Sequence, residues 1–437
     1  MQDSVVITAL DQEGRGVARV NGKATFVEGA LIGEEVAVEI LRRKPNYDVG
    51  RMTELVTASP ARTTPPCPHF GTCGGCSLQH LEASAQVAVK QRVLEDALWH
   101  IGRLRANELL PPIHGTPWSY RHRARLSVRD VPRKGGVLVG FHERKSSFVA
   151  DMTSCLVLPE RVSALLPELR RLVESLSLRN RLPQIELAVG DALEGEPIVA
   201  LVFRILAAPA PEDEQRLHGF ALRHGVEIYL QPQGPASIRP LRPPARRLAY
   251  VLPEFDVTIE FGPTDFTQVN AAMNRMLVRR AIALLAPQTG EAIADFFCGL
   301  GNFTLPIARR GANVVGLEAQ RDLARRAERS AALNGLASRT RFAVADLFAA
   351  TPESIAAIGP LDKALLDPPR EGAIALVKAL PDEALKRIVY VSCNPATLAR
   401  DASVLVRQRG FELAAAGVAN MFPHTAHVES IALFTRR

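Results

Sequence analysis

Near its N-terminus the chain alternates apolar and polar positions in short bursts: 5–10 (VVITAL), 16–20 (GVARV), 24–27 (ATFV) and 35–41 (EVAVEIL). A period of two places successive side chains on opposite faces of a strand. Breaks at 11–14, at Asn21-Gly22 and at Gly29 separate the bursts, and Asn-Gly between two strands marks a tight hairpin. Short strands at this spacing predict a small β-barrel of the oligonucleotide-binding type over residues 1–60. At 81–100 the rhythm changes, with Leu81, Val87, Val93, Leu94 and Leu98 near one helical face. Period two returns at 118–129, with 137–142 as its hairpin partner, and 157–252 reads as mixed strands and helices. From Phe261 strands alternate with helices, as in a doubly wound α/β sheet. The expected strands are 292–297, 312–318, 341–346, 363–366, 387–391 and 431–434; the expected helices include 271–285, capped by Asn270, and 303–310. Three units result: a barrel over 1–60, a mixed α+β unit over 61–260 and an α/β unit over 261–437.

Composition adds little until charge is placed. The 437 residues carry a net charge of +7, which suits a polyanionic partner and equally a surface of solvated arginines. The most apolar run, 198–208, is short and holds Arg204, so no membrane span is expected. Asp3, Asp11 and Glu13 near the start argue against a signal peptide, which makes the cytoplasm the default. The 118–129 strand sets Arg121, Arg123, Arg125 and Ser127 on one face, with Tyr120 alongside, a row suited to phosphates and bases. Arg42, Arg43, Lys44 and Arg51 form a second basic cluster at one end of the barrel.

Six cysteines are too few for a disulfide scaffold, but four have a telling arrangement. Cys67, Cys73 and Cys76 are spaced C-x5-C-x2-C in a Pro- and Gly-rich loop, and Cys155 follows far downstream. Four such thiolates can ligate a [4Fe–4S] cluster. Zinc is the competing metal, though only one short knuckle is present, and isolated loop thiols are the plain alternative.

The candidate chemistry sits at strand ends of the last unit, where open α/β sheets place it. The first strand runs into 298–302 (CGLGN), whose glycines let the backbone turn sharply against a ligand. Thr304 stands where a dinucleotide fingerprint needs a third glycine, so a bound pyrophosphate is not favoured. The next strands end in Glu318 and Asp346, an order of acids that suits ribose and adenine of S-adenosylmethionine. Then come 367–370 (DPPR) and 392–395 (SCNP). Amino-nitrogen methylases stack an aromatic after D-P-P; here Arg370 stands there and the next strand brings a thiol. Uracil C5 is a weak nucleophile until a thiolate adds at C6, so Cys393 is the candidate nucleophile. It should occupy an electropositive, partly accessible niche. A base must later remove the C5 proton, and Glu429, expected just before the final strand, is the candidate. Cys298 reads as packing; the plain alternative for Cys393 is an inert core thiol.

Together these residues make the chain resemble the bacterial RNA uracil-5-methyltransferases, in the 23S rRNA branch that carries a TRAM domain and an iron–sulfur cluster. Residues 14–36 carry the TRAM likeness; the cysteine spacing, FTQVN (266–270), DFFCGLGNFTLP (295–306), LDPPR (366–370), SCNP and FPHTAHVES (422–430) carry the rest. Phe296 stands where the family often has Leu. The resemblance implies a Rossmann-like S-adenosylmethionine methyltransferase domain beside a TRAM barrel and a central iron–sulfur domain. It implies Cys393 as nucleophile, Glu429 as base, and Gln268, Phe297, Asn302, Glu318, Asp346 and Asp367 around the methyl donor. Cys67, Cys73, Cys76 and Cys155 would hold the cluster, and a uridine of 23S rRNA, flipped from its stack, would be the substrate of a monomer without obligate protein partner. The tRNA-specific branch resembles only the C-terminal half, which argues against tRNA. A non-catalytic iron–sulfur RNA-binding protein and an amino-nitrogen methylase are the alternatives.

Overall fold

The computed structural model describes residues 4–436 except 194, 382 and 383, which leaves Asp3 outside. The N-terminal strands are Ser4–Val6, Ala9–Leu10, Gly16–Val20, Lys23–Glu28, Glu35–Arg43 and Tyr47–Thr57. The hairpin expected at Asn21-Gly22 is present: Val20 pairs with Lys23, and both turn residues have positive φ, 50° and 79°. The strand Tyr47–Thr57 has no counterpart in the sequence reading. It lies between Glu35–Arg43 and Lys23–Glu28, and its side chains beyond Gly50 are largely exposed, so alternation is weak. Ile7, Ala18, Val27, Ala30 and Val36 form the small core. Leu10 and Leu31 pack with Leu78 and Leu81, which seats this sheet on the loop that follows Cys76.

A second six-stranded sheet contains Arg123–Val131 between Gly136–Gly140 and Gln184–Gly190, then Ile198–Arg204, Glu227–Gln231 and Arg239–Pro240. The alternation in the arginine strand holds: Ala124, Leu126 and Val128 are buried in a core that also contains Cys73 and Cys155.

The third sheet has eight strands in the order Thr340–Val344, Asn313–Glu318, Ala292–Phe296, Lys363–Leu366, Arg387–Ser392, Glu429–Thr435, Glu412–Ala419, Glu108–Leu109. Ala292–Phe296 pairs in parallel with neighbours on both sides, so the strand order reverses there, at the crevice where such sheets bind ligands. The helix Ala271–Leu285 begins as expected, with Asn270 Oδ1 accepting from the Met273 N–H. The sheet also recruits residues far upstream. The helix Ala83–Ala97 and the π-turn Leu98–Gly102 pack against the helix Pro395–Arg407, with Leu94, Ala97 and Leu98 in the apolar core on that face of the sheet. No helix among the described residues is long and apolar enough to cross a membrane.

Candidate active site

Cys393 and Glu429 come together through strand register. Arg387–Ser392 and Glu429–Thr435 are antiparallel, and Ser392 pairs with Ser430. Cys393 is the residue after one strand and Glu429 the first residue of the other, so both occupy the same end of adjacent strands. Glu429 lies inside the final strand and is 3% exposed, where the sequence placed it just before the strand. The reason is its backbone pairing with Ala419 on the neighbouring strand. Burial, then the nearby Asp367, pushes its carboxyl well above the usual range.

Cys393 is half-buried, which keeps the thiol partly accessible. Burial, then Glu429 and Asp367, push its thiol up to about 11; Arg370 alone among the charged neighbours opposes them. Burial is the largest of these effects, and the opposing guanidinium is shared with His427, whose Nδ1 lies 3.3 Å from the Arg370 Nη2. The tip is stiff: Asn394 Nδ2 and Thr397 Oγ1 both donate to the Arg370 carbonyl, and Asn394 Oδ1 caps the helix Pro395–Arg407.

At the switch-point crevice, Asp367 follows its strand beside the glycine turn, and burial pushes its carboxyl up to about 7. Glu318 takes the Gly299 N–H at 3.1 Å and the Gln320 N–H at 2.9 Å, which locks the turn against the second strand end. Gly299 has φ +54°, and a Cβ there would meet only open space, so the turn is open on that side. Phe297, also at positive φ (65°), sits 5.7 Å from the ring of Phe348, and Asp346 Oδ1 accepts the Phe348 N–H. Asn302 exchanges two amide hydrogen bonds with Asn274 and accepts from the Tyr250 hydroxyl. Asn274, Tyr250 and Gln268 line one small cavity, so Gln268 and Asn302 share a polar cluster. Asp295, the acid ahead of the glycine turn, is fully buried. It accepts from Thr304 Oγ1 at 2.5 Å, leaves its other oxygen unpartnered, and is pushed up to about 7 by burial. Cys298 is buried against Gly316, in keeping with packing.

Cys67, Cys73, Cys76 and Cys155 line one small cavity with Phe70, Phe141 and Met152. All are free thiols, and burial pushes Cys76 up to about 12. Among the described residues, no three His, Cys, Asp or Glu side chains are grouped so as to hold a metal ion. Cys73 and Cys155 are buried, and Cys67 and Cys76 are half-buried.

The arginine row is only partly free. Arg125 pairs with Glu186 and Arg123 donates to the Pro263 carbonyl at 3.0 Å. Arg121 instead turns over the Phe141 ring and, with Arg144, Lys145, Arg370 and His427, lines a cavity of about 570 Å³ between the cysteine loop and the catalytic tips. Sequence reasoning also missed Lys90, buried and donating to Asn420 Oδ1 and the Phe422 carbonyl at 2.7 and 2.8 Å. Its signal was present: Lys90 falls in phase with Gln86, Leu94 and Ala97 on the buried helix face.

Comparison with known proteins gives the site its setting. Residues 4–53 match the TRAM domain, and residues 113–339 and 359–437 match the tRNA (Uracil-5-)-methyltransferase family. A protein of Aromatoleum aromaticum named 23S rRNA (uracil(1939)-C(5))-methyltransferase RlmD is 59% identical over 99% of both chains. A protein of the same name from Azoarcus sp. is 60% identical, again over 99% of both chains. Among solved structures, the Pyrococcus abyssi tRNA (uracil-54, C5)-methyltransferase, in complex with S-adenosyl-L-homocysteine, matches 99% of both chains with a TM-score of 0.75 and 26% identity. A fold of this kind therefore also occurs in a protein named for tRNA. With its C-terminal S-adenosylmethionine-dependent methyltransferase fold behind a TRAM domain, the chain belongs to the RNA uracil-5-methyltransferase family.

Proposed function

We propose that the protein transfers a methyl group from S-adenosylmethionine to C5 of a specific uridine in 23S rRNA, through a covalent bond between Cys393 and C6. The observation that carries the reading is the Ser392–Ser430 register, which supports a thiol and a carboxyl acting from the same ends of adjacent strands. The rRNA assignment rests on relatives near 60% identity named for uracil 1939 of 23S rRNA, against 26% to the tRNA enzyme.

The flipped uracil enters beside Arg370 and His427. The Cys393 thiolate adds to C6, and the C5=C6 electron pair moves onto C5 and the C4 carbonyl oxygen as an enolate. S-adenosylmethionine, when bound, supplies the methyl group that C5 takes. Glu429 then accepts the C5 proton, the C5=C6 bond re-forms, and the C6–S bond breaks to return the thiolate. A buried carboxyl with a raised proton affinity suits that last step. Glu318 and Asp346 would hold ribose and adenine, Phe297 would pack on the adenine, and Gln268, Asn302 and Asp367 would bound the methyl end. The open side of the turn at Gly299 fits such a ligand.

Cys67, Cys73, Cys76 and Cys155 would ligate a [4Fe–4S] cluster in the central domain. An apolar cavity faced by four cysteines suits one, and thiolates on separate irons stand farther apart than ligands of a single ion. The cluster would tie the loop to the Cys155 segment. Anaerobic purification should yield about four irons per chain, lost in Cys76→Ala; iron-free protein would sink this part. The protein would act in the cytoplasm, alone.

The substrate is tested with radiolabelled methyl donor and two unmodified transcripts, a 23S rRNA fragment containing uracil 1939 and a tRNA. Label confined to the rRNA fragment supports the reading. Label confined to tRNA overturns it.

A further inference from the structure

We propose that His424 is a positioning residue for Glu429: clamped by the residues after Cys76 and by Gln86, it holds the segment that leads into the base. The inference rests on the reading of Glu429 as the base. It starts from a strained backbone. His424 has φ +63°, a region a non-glycine residue leaves unless its surroundings over-determine it.

The surroundings do so at every backbone atom. The His424 N–H donates to Gln86 Oε1 at 2.7 Å. Its carbonyl accepts two N–H groups, from Ser77 at 2.8 Å and Leu78 at 2.9 Å. Its ring stacks on Trp118 with centroids 3.8 Å apart. The flanking residues are held too: Tyr120 donates to the Pro423 carbonyl at 2.9 Å, and the Ala426 N–H to Ser77 Oγ at 3.2 Å. Gln86 is fully buried, and its amide also donates to the Leu78 and Leu81 carbonyls, so one side chain joins both segments.

Glu429 needs such a holder because its rung is the last of its strand. Ser430 pairs on both sides, with Ser392 and Val418, whereas Glu429 pairs only with Ala419 because Cys393 has left the sheet. A terminal rung paired on one side frays unless the chain before it is fixed. A base displaced by about 1 Å can lose on the order of a hundredfold in rate. The joint also places the cysteine loop and the base on one hydrogen-bonded path, because Ser77 directly follows Cys76.

The test uses Gln86→Leu and Ser77→Ala in the full chain, with Glu429→Gln as reference. Each protein is mixed with S-adenosylmethionine and an rRNA fragment carrying ordinary uridine, then run on a denaturing gel. A misplaced base leaves methyl transfer intact and slows proton removal, so a methylated protein–RNA adduct should accumulate in both joint variants. Turnover should fall about tenfold while the first methyl transfer changes little. Loss of packing alone slows the first transfer and builds no adduct. Adduct in Glu429→Gln with none in either joint variant overturns the proposal. No adduct in Glu429→Gln overturns the base assignment, and the proposal with it. Ser77→Ala keeps the Ser77 N–H and removes only the hydroxyl that receives Ala426, so it stays informative where Gln86→Leu does not fold.

Discussion

The acid-flanked niche of Cys393 carries a sharp consequence for pH. Its thiol is pushed up to about 11, by burial first and then by Glu429 and Asp367. Only about one molecule in ten thousand then holds a thiolate at pH 7, and about one in a hundred at pH 9. Adduct formation by free enzyme should follow that fraction. We expect the apparent second-order rate of methyl transfer in a single turnover to rise roughly tenfold per pH unit from 7 to 9. The assay uses limiting unmodified rRNA fragment, enzyme in excess but below saturation, fixed ionic strength, and acid-quenched label counted in RNA and adduct together. Proton removal comes after methyl transfer and does not enter the rate. Arg370→Leu, which removes the one opposing charge, should lower the whole profile without flattening it. Arg370 is exposed, so the loss should be only a few-fold, corresponding to about 0.2–1 kcal/mol. A plateau already reached by pH 8, or a faster Arg370→Leu enzyme, would refute the electrostatic account of the niche.

Lys90, 1% exposed, has its proton affinity lowered to about 7 by burial, so from pH 7 to 10 the unfolded chain binds a proton that the folded chain lacks. Stability should therefore rise with pH across that window, and denaturant titrations should show a shallower rise in Lys90→Met. Thr304→Val removes the hydroxyl that satisfies the buried Asp295 carboxyl; it should cost about 1–3 kcal/mol of unfolding free energy and raise the KM for S-adenosylmethionine. A stability unchanged within error would contradict the role given to that pair. Replacing Arg42, Arg43 and Lys44 together by Ala should weaken rRNA binding and reduce its log–log salt slope by about 2, with binding to unrelated RNA falling in proportion. An unaltered slope would move the phosphate contacts elsewhere.

Local pattern made much of the fold legible. Asn-Gly at 21–22 gave the hairpin, and the alternation at 124–128 gave the buried face of the arginine strand. Asn270 ahead of an apolar helix gave its cap. Contacts between distant segments were not legible. The two-residue strand Glu108–Leu109 is defined only by pairing with Ala415 and Ala416, some three hundred residues away. Arg123 and Arg125 looked free because their partners, Pro263 and Glu186, belong to other segments. Cys393 was nameable because it follows an apolar strand that stops at Pro395, and Glu429 because it is the acid that leads into the final strand. The charge around Cys393 was not, since Asp367 and Glu429 reach it from two other strands. Gln86 and Lys90 break the usual apolar rule of a buried helix face, and only the loop they hold explains them.

The most direct test of the covalent route replaces uridine with 5-fluorouridine in the 23S rRNA fragment, because fluorine at C5 leaves no proton for Glu429 to remove. With S-adenosylmethionine present, the account expects a methylated protein–RNA band that survives denaturation and is absent in Cys393→Ala. Methylation of the unsubstituted fragment with no trapped band on the fluorinated one, or a band that persists in Cys393→Ala, would contradict it.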